Sequence, residues 1–259
     1  MNEINAIVTI ALRDIIKLLR DKTRILANLV FPILFVGVLG TSMQTNLKDS
    51  LGFNFLVFVY TGVIAQTLFQ STASGIVWLI EDRQNDFAQE LFVSPISRYS
   101  IIIGKILGET IISFIQTSGI ILCGIILQVP IDFISLIKII PFAILISLFG
   151  GSFGLLVMSN LDDQKSASQI FPFLLFPQFF LAGVFNLIKE LPLPLLIASR
   201  LAPMTYAVDL IRSIYYFEKP EYSNIVLSSP ILNLSVVSIF TIVFLILGTY
   251  IFVKKEKNK

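Results

Sequence analysis

The sequence predicts an all-α polytopic membrane protein, and three observations carry that prediction. The 259-residue chain is 55% hydrophobic and only 14% charged, with a mean hydropathy of +0.86. An ordinary soluble domain carries about 25% charge. The apolar residues fall into runs close to the roughly 20 residues that cross a bilayer as a helix. Finally, a charged island, EDRQNDFAQELFVSPISRYSIIIGKIL from Glu81 to Leu107, stands between two of those runs. A short polar segment with helical spacing, held at a membrane face between two spans, is shaped for a soluble partner to grip.

Composition also excludes. One cysteine, Cys123, allows no disulfide within the chain, and there is no histidine. Zinc sites and Ser-His-Asp chemistry therefore lack their usual ligand and base. The net charge of +2 is small and its basic residues form no single patch, so nucleic acid is not an expected partner.

The elements follow in order. Residues 4–24 read as an amphipathic helix, with Ile4, Val8, Ala11, Ile15 and Leu19 on one face and Arg13, Lys17, Arg20 and Arg24 on the other. A basic amphipathic helix lies in the headgroup plane against anionic lipid; a short cytosolic leader is the plainer reading. The stretch is too long and too structured for the n-region of a removable signal peptide. Six spans are predicted: Ile25–Met43 with Pro32 inside it, Phe53–Ile80, Ser100–Val129, Leu136–Ser159, Ala167–Ile188 and Ile231–Val253. The second and third exceed the needed length and must tilt or project. Between the last two, Lys189–Pro230 is only moderately apolar, and Pro192, Pro194 and Pro203 break any continuous helix. Two short helices that dip in and return fit it better than a span, and such backbone must be covered by protein or water.

Lys and Arg set the orientation. With the amino terminus inside, inner segments carry 13 and outer segments 6, so both termini and the island are expected in the cytoplasm. Richness in Ile, Lys and Asn suggests a prokaryotic source, and hence the cytoplasmic (inner) membrane.

Within the island, Asp86, Gln89 and Glu90 share one side of a short helix, and Phe87 and Leu91 share another. Ser94-Pro95 ends that helix, Ser97 is placed to cap the next, and Arg98 and Lys105 mark its cytosolic end. Two readings stand: a knob that docks in a groove of a cytosolic partner, or an ordinary solvated loop. In the second span Gln66, Gln70 and Ser74 recur every four residues, with Thr61, Thr67 and Ser71 nearby. This stripe is either a cavity wall or helix–helix glue. The fifth span offers Phe171, Phe173, Phe176, Gln178, Phe179, Phe180 and Asn186, as a cavity lining or as lipid contact. Lys105 and Glu109 read as a local ion pair with Lys105 snorkelling to the interface. Asp209 and Arg212, three apart near the outer surface, read as structural.

The order of these motifs resembles ATP-binding-cassette (ABC) type-2 exporter permeases over nearly the whole chain. Between the second and third helices that family places an acidic and a basic residue, a short variable helix, a Leu, Ser-Pro-Ile-Ser-Arg and Gly-Lys-Ile-Leu. Here these are Glu81, Arg83, Leu91, Ser94 to Arg98 and Gly104 to Leu107. Asn85-Asp86-Phe87 stands where many members have Gly-Thr-Leu or Gly-Thr-Phe. Later, Gly183, Val184 and Phe185, then Leu191-Pro192, then Pro203, Thr205, Tyr206 and Arg212, match the family's aromatic fifth helix and the segment between it and the sixth.

The resemblance implies a single type-2 transmembrane domain over 1–259, working as one half of a homodimer or heterodimer and driven by a separate ABC ATPase subunit. Residues 1–24 would be its interface helix, 81–98 its coupling-helix loop and 189–230 its extracellular re-entrant region. Glu81, Arg83, Asn85, Asp86, Phe87, Glu90, Leu91 and Arg98 would contact the ATPase. The second and fifth helices would surround the cavity, making Gln66, Gln70, Ser74, Phe176, Gln178 and Phe179 the expected substrate path. The sequence has no G-x-x-x-x-G-K-[ST] phosphate loop, so ATP and Mg would be bound by the partner, with no cofactor on this chain. An aromatic lining suits a hydrophobic or amphipathic cargo, as in multidrug efflux, and the runner-up cargo is a polysaccharide or lipid-linked glycan. An intramembrane enzyme would need nucleophile and base or metal ligands that nothing here assembles. An ion-driven secondary transporter or channel would want carboxylates mid-membrane and inverted repeats; Glu109 is the only carboxylate well inside a predicted span, toward its inner end.

Overall fold

The computed structural model describes residues 3–47, 52–77, 79–80, 96–161 and 163–257. Among the described residues every regular element is helical. Helices α1 (Glu3–Arg20), α2 (Lys22–Leu34) and α3 (Thr41–Leu47) lead into α4 (Phe55–Val77). Then come α5 (Arg98–Ile126), α6 (Phe133–Ser159), α7 (Gln164–Leu181), α8 (Leu193–Leu201), α9 (Pro203–Tyr215), the one-turn α10 (Tyr222–Ile225) and α11 (Pro230–Lys257). A π-helical stretch, Phe35–Gly40, joins α2 to α3. It begins three residues after Pro32, whose ring nitrogen has no hydrogen to give the Asn28 carbonyl.

Five helices among the described residues are long and apolar enough to cross a membrane: Asn28–Asn46, Phe55–Val77, Arg98–Ile126, Phe133–Ser159 and Pro230–Lys255. This is a multi-pass membrane protein. The five correspond to the first four and the last of the predicted spans. The remaining one, Ala167–Ile188, corresponds to α7, which stops at Leu181. Gly183 ends it in the left-handed region, at φ 72°, and Gln164, Lys165 and Gln169 in its first turns dilute its apolar character. Beyond it, α8 and α9 pass the same test only as a pair, bent by 88°.

Side chains set the helix starts. Ser97 caps α5 as its position predicts, accepting the Ser100 N–H at 3.1 Å. Asp132 caps α6 through the Ile134 N–H at 3.1 Å, and Asp163 caps α7 through Ser166 at 2.7 Å. The Ser135 hydroxyl, and then Lys219 at 3.1 Å, hold the Asp132 carboxyl well below the usual carboxylate range. That pair ties the α9–α10 turn to the start of α6.

Helix α4 is the core: 89% of its spanning window is buried, against 11% for Asn28–Asn46 and 17% for α11. It packs tightest against α6. A Cβ at Gly150 would lie 2.1 Å from the Phe69 carbonyl oxygen, and one at Gly154 2.4 Å from that of Ala73. Such contact needs small residues. Gly150→Ala should therefore force the two helices apart and cost about 1–3 kcal/mol by overpacking. Thermal unfolding in detergent checks this, and an unchanged midpoint would show that α6 can shift freely.

Helix α9 is the second anchor, and Asp209 and Arg212 serve different partners on it. The Asp209 carboxylate accepts the Leu227 and Ser228 N–H groups at 2.7 and 2.8 Å and the Asn233 amide at 2.8 Å, fixing the turn into α11. Arg212 donates to the carbonyls of Gly183 (2.7 Å), Phe58 (3.1 Å) and Val184 (3.2 Å), with its guanidinium 3.6 Å from the Phe58 ring centroid.

Helix α1 has three faces rather than the two its sequence suggests. Ala6, Ile10, Ala11, Asp14 and Leu18 are buried, and they pack on α5 near Gly104 and Gly108. Ile4, Val8, Leu12, Ile16 and Leu19 are exposed, while Lys17 and Arg20 mark a polar edge between. Ala11 thus leaves the apolar outer face to which its spacing assigns it.

Candidate functional site

A cavity of about 370 Å³ opens between α2, α4, α5 and α7. Its α4 wall is polar: Gln66, Thr67, Gln70, Ser71 and Ser74. Gln116 from α5 and Asn28 from α2 extend that wall. The α7 wall is apolar, formed by Phe171, Pro172, Leu175, Phe176 and Phe179, with Phe31 and Pro32 beside it. The four-residue spacing on α4 places its stripe on one helix face, as the sequence implies.

Hydrogen bonding within the polar wall is incomplete. Gln66 Nε2 donates to Gln70 Oε1 at 3.3 Å. Gln66 Oε1, Thr67 Oγ1 and Ser71 Oγ are buried with no hydrogen-bond partner among the described residues. Buried polar atoms are normally paired, so unpaired ones beside a cavity are places for a ligand or water to bind.

Five of the six expected path residues, Gln66, Gln70, Ser74, Phe176 and Phe179, meet around this cavity. Gln178 is engaged elsewhere: its Nε2 donates to the Leu174 carbonyl at 2.8 Å and its Oε1 accepts the Met204 N–H at 3.3 Å, tying α7 to α9. Phe173 and Phe180 are exposed on the outer side of α7. Asn28, Phe31 and Gln116 join the cavity without having been singled out by sequence. Asn28 carried a signal, as the lone polar residue of 25–40, whereas Gln116 stands among other polar residues of its span and Phe31 among many phenylalanines.

The coupling residues Glu81, Arg83, Asn85, Asp86, Phe87, Glu90 and Leu91 lie outside the described residues. Arg98 is described, and its Nη1 donates to the Val253 carbonyl at 3.3 Å, joining the start of α5 to the end of α11. Nearby, Glu3 accepts the Ser100 hydroxyl, a bond that holds its carboxyl below the usual range, and the Ser97 N–H at 3.4 Å. The amino end of α1 is thereby fastened where the charged island re-enters the bundle.

Deeper along the same two helices, Lys105 corrects its sequence reading. It does not snorkel outward: it is 4% exposed, with Nζ 2.9 Å from Asp14 Oδ2 and 3.6 Å from Glu109 Oε1. The expected Lys105–Glu109 pair exists, but the closer carboxylate belongs to α1. Glu109 in turn lies against α4, where a Cβ at Gly75 would come within 1.9 Å of its Cδ. Asp14, Lys105 and Glu109 therefore connect α1, through α5, to the residue next to Ser74 at the cavity's edge.

Comparison with known proteins agrees with this architecture. Residues 5–216 match the family described as ABC-2 type transporter. A curated protein of Cyanophora paradoxa named "Putative transport permease ycf38" is 28% identical over 261 residues, covering 95% of this chain and 87% of that protein.

Proposed function

The chain belongs to the ABC-2 type transporter family, and we propose that it is the membrane-spanning subunit of an exporter powered by a separate ABC ATPase. It is a transport permease by family; the partner, the direction and the cargo are the proposal. The observation that carries the cargo site is the two-walled cavity, with the polar face of α4 opposite the aromatic face of α7. A hydrophobic or amphipathic molecule would enter there and leave by alternating access. A glycan, the alternative cargo, would find hydrogen-bonding amides on one wall only.

In this reading α1 is the interface helix and 81–98 the coupling loop, both on the cytoplasmic side with the two termini, while 189–230 is the extracellular re-entrant region. A second copy or a paralogue completes the dimer. ATP and Mg are held by the ATPase. An ion-driven transporter is the reading from another class, and dependence of transport on ATP rather than on a proton gradient separates the two.

Affinity purification of the tagged chain in mild detergent tests the assignment. A stoichiometric ATPase subunit is the expected result; a chain that purifies alone at every expression level refutes it. Phe87→Ala and Glu90→Arg should leave insertion intact but weaken ATPase recovery several-fold and abolish transport. Normal recovery and transport in both variants would remove the coupling role from this segment.

A further inference from the structure

We infer that the cavity selects uncharged ligands that are amphipathic across their faces, with hydrogen-bonding groups along one edge and an apolar opposite side. The inference rests on reading the cavity as the cargo site. It goes beyond that reading by naming the chemistry the site accepts and the chemistry it rejects.

Two observations support it. The first is what lines the space: amides and hydroxyls on one side, rings and aliphatic carbon on the other, and no charged side chain among the lining residues described. An ion entering such a space leaves water without meeting a counter-charge, and burial of an unpaired charge is strongly disfavoured. The second is the set of unpaired atoms, Gln66 Oε1, Thr67 Oγ1 and Ser71 Oγ. A carbonyl oxygen and two hydroxyls are matched by neutral N–H, O–H and C=O groups. They recur along one face of α4, so the ligand's polar groups must be spread along an edge rather than gathered in a single head. The opposite wall, with Phe171, Phe176 and Phe179, offers ring faces for a flat apolar surface. A cavity of this volume fits a molecule of small-drug size.

The test uses three fluorescent probes on one tricyclic frame: 6(5H)-phenanthridinone (neutral, with adjacent N–H and C=O on one edge), 5-methylphenanthridinium (a cation) and phenanthridine-6-carboxylate (an anion). Binding to the 259-residue chain in lipid nanodiscs is measured by fluorescence, with empty nanodiscs subtracted. Phenanthridinone is expected to bind at least tenfold more tightly than either ion. Phe176→Ala or Gln66→Leu should weaken it at least fivefold. Gln70→Glu supplies a counter-charge and should bring 5-methylphenanthridinium level with phenanthridinone or above it. Ser74→Asp does the same if Gln70→Glu fails to give a monodisperse protein. Equal binding of the three probes, no binding of any, or phenanthridinone binding indifferent to both cavity variants would overturn the inference. The ATPase copurification result stands apart. If the ATPase associates and the charge preference is missing, only the ligand class falls. If the preference is present and no ATPase associates, only the exporter reading falls.

Discussion

Arg212→Met is expected to lower the stability of the folded protein by about 3–5 kcal/mol, the range for removing a buried charged group from a hydrogen-bonded setting. Three backbone carbonyls converge on this guanidinium. Those of Gly183 and Val184 belong to the turn that ends α7, and that of Phe58 belongs to α4. Methionine fills much of the same volume but leaves the carbonyls of the turn facing apolar side chains, and each unsatisfied group costs roughly 1–3 kcal/mol. It also loses the contact with the Phe58 ring. Arg212→Lys should recover only part of the loss, because an ammonium is a point charge and cannot reach three acceptors while lying flat on a ring. Asp209, one turn earlier, keeps its own partners in the α10–α11 turn in either variant. The damage should therefore be local to the α4–α7 junction. Denaturant titration in detergent, followed by tryptophan or far-ultraviolet signals, reads the difference. A loss below about 1 kcal/mol for Arg212→Met would show that the junction is held by packing alone.

The same region shows which parts of the fold the sequence could reveal. Span lengths were legible because apolar runs of fixed minimum length are imposed by the bilayer, and Ser97 was legible as a cap because capping is local. The end of α7 was not: Gly183 sits inside an apolar run, and its left-handed conformation shows only in the backbone. The stripe Gln66, Gln70 and Ser74 could be read because helical periodicity decides which residues share a face. Gln178 was misplaced because its partner, the Met204 N–H, lies 26 residues away in another element. Asn28 and Gln116 were missed for the converse reason. Asn28 is a single polar residue in its run, and Gln116 is one polar residue among several in its own, with Ser113 and Glu109 at helical spacing before it; both become cavity residues only when α2 and α5 are brought to α4. Local pattern gives the wall contributed by one helix, and tertiary packing decides what faces it.

Lys105 illustrates the same limit and leads to the other large effect. Its sequence neighbour at i+4, Glu109, is 3.6 Å away, while Asp14, 91 positions earlier, is 2.9 Å away. Both carboxylates are nearly inaccessible to water, at 3% for Asp14 and 1% for Glu109. Lys105→Met should cost about 3–5 kcal/mol, since it removes the cation closest to both anions, leaving Asp14 with Arg13 at 4.0 Å. Asp14→Asn alone should cost less, because it removes one of two negative charges and leaves Lys105 facing Glu109. The decisive quantity is the double-mutant cycle. If Asp14 and Lys105 act directly on one another, the double variant should be more stable than the sum of the single losses predicts, by at least about 1.5 kcal/mol. Losses that add to within roughly 0.5 kcal/mol would mean the two residues contribute independently. The functional consequence comes from where the pair sits. It is a polar link between α1 and the bundle, and through Glu109 it bears on Gly75, next to Ser74 of the cavity. An α1 pushed by a partner at the membrane face would pass that displacement along this link to the α4 wall. Asp14→Asn, the milder variant, should then insert and bind the proposed ATPase partner normally yet transport several-fold more slowly per ATP hydrolysed. Transport at the full rate per ATP in Asp14→Asn would show that α1 communicates with the cavity through its apolar contacts with α5 instead.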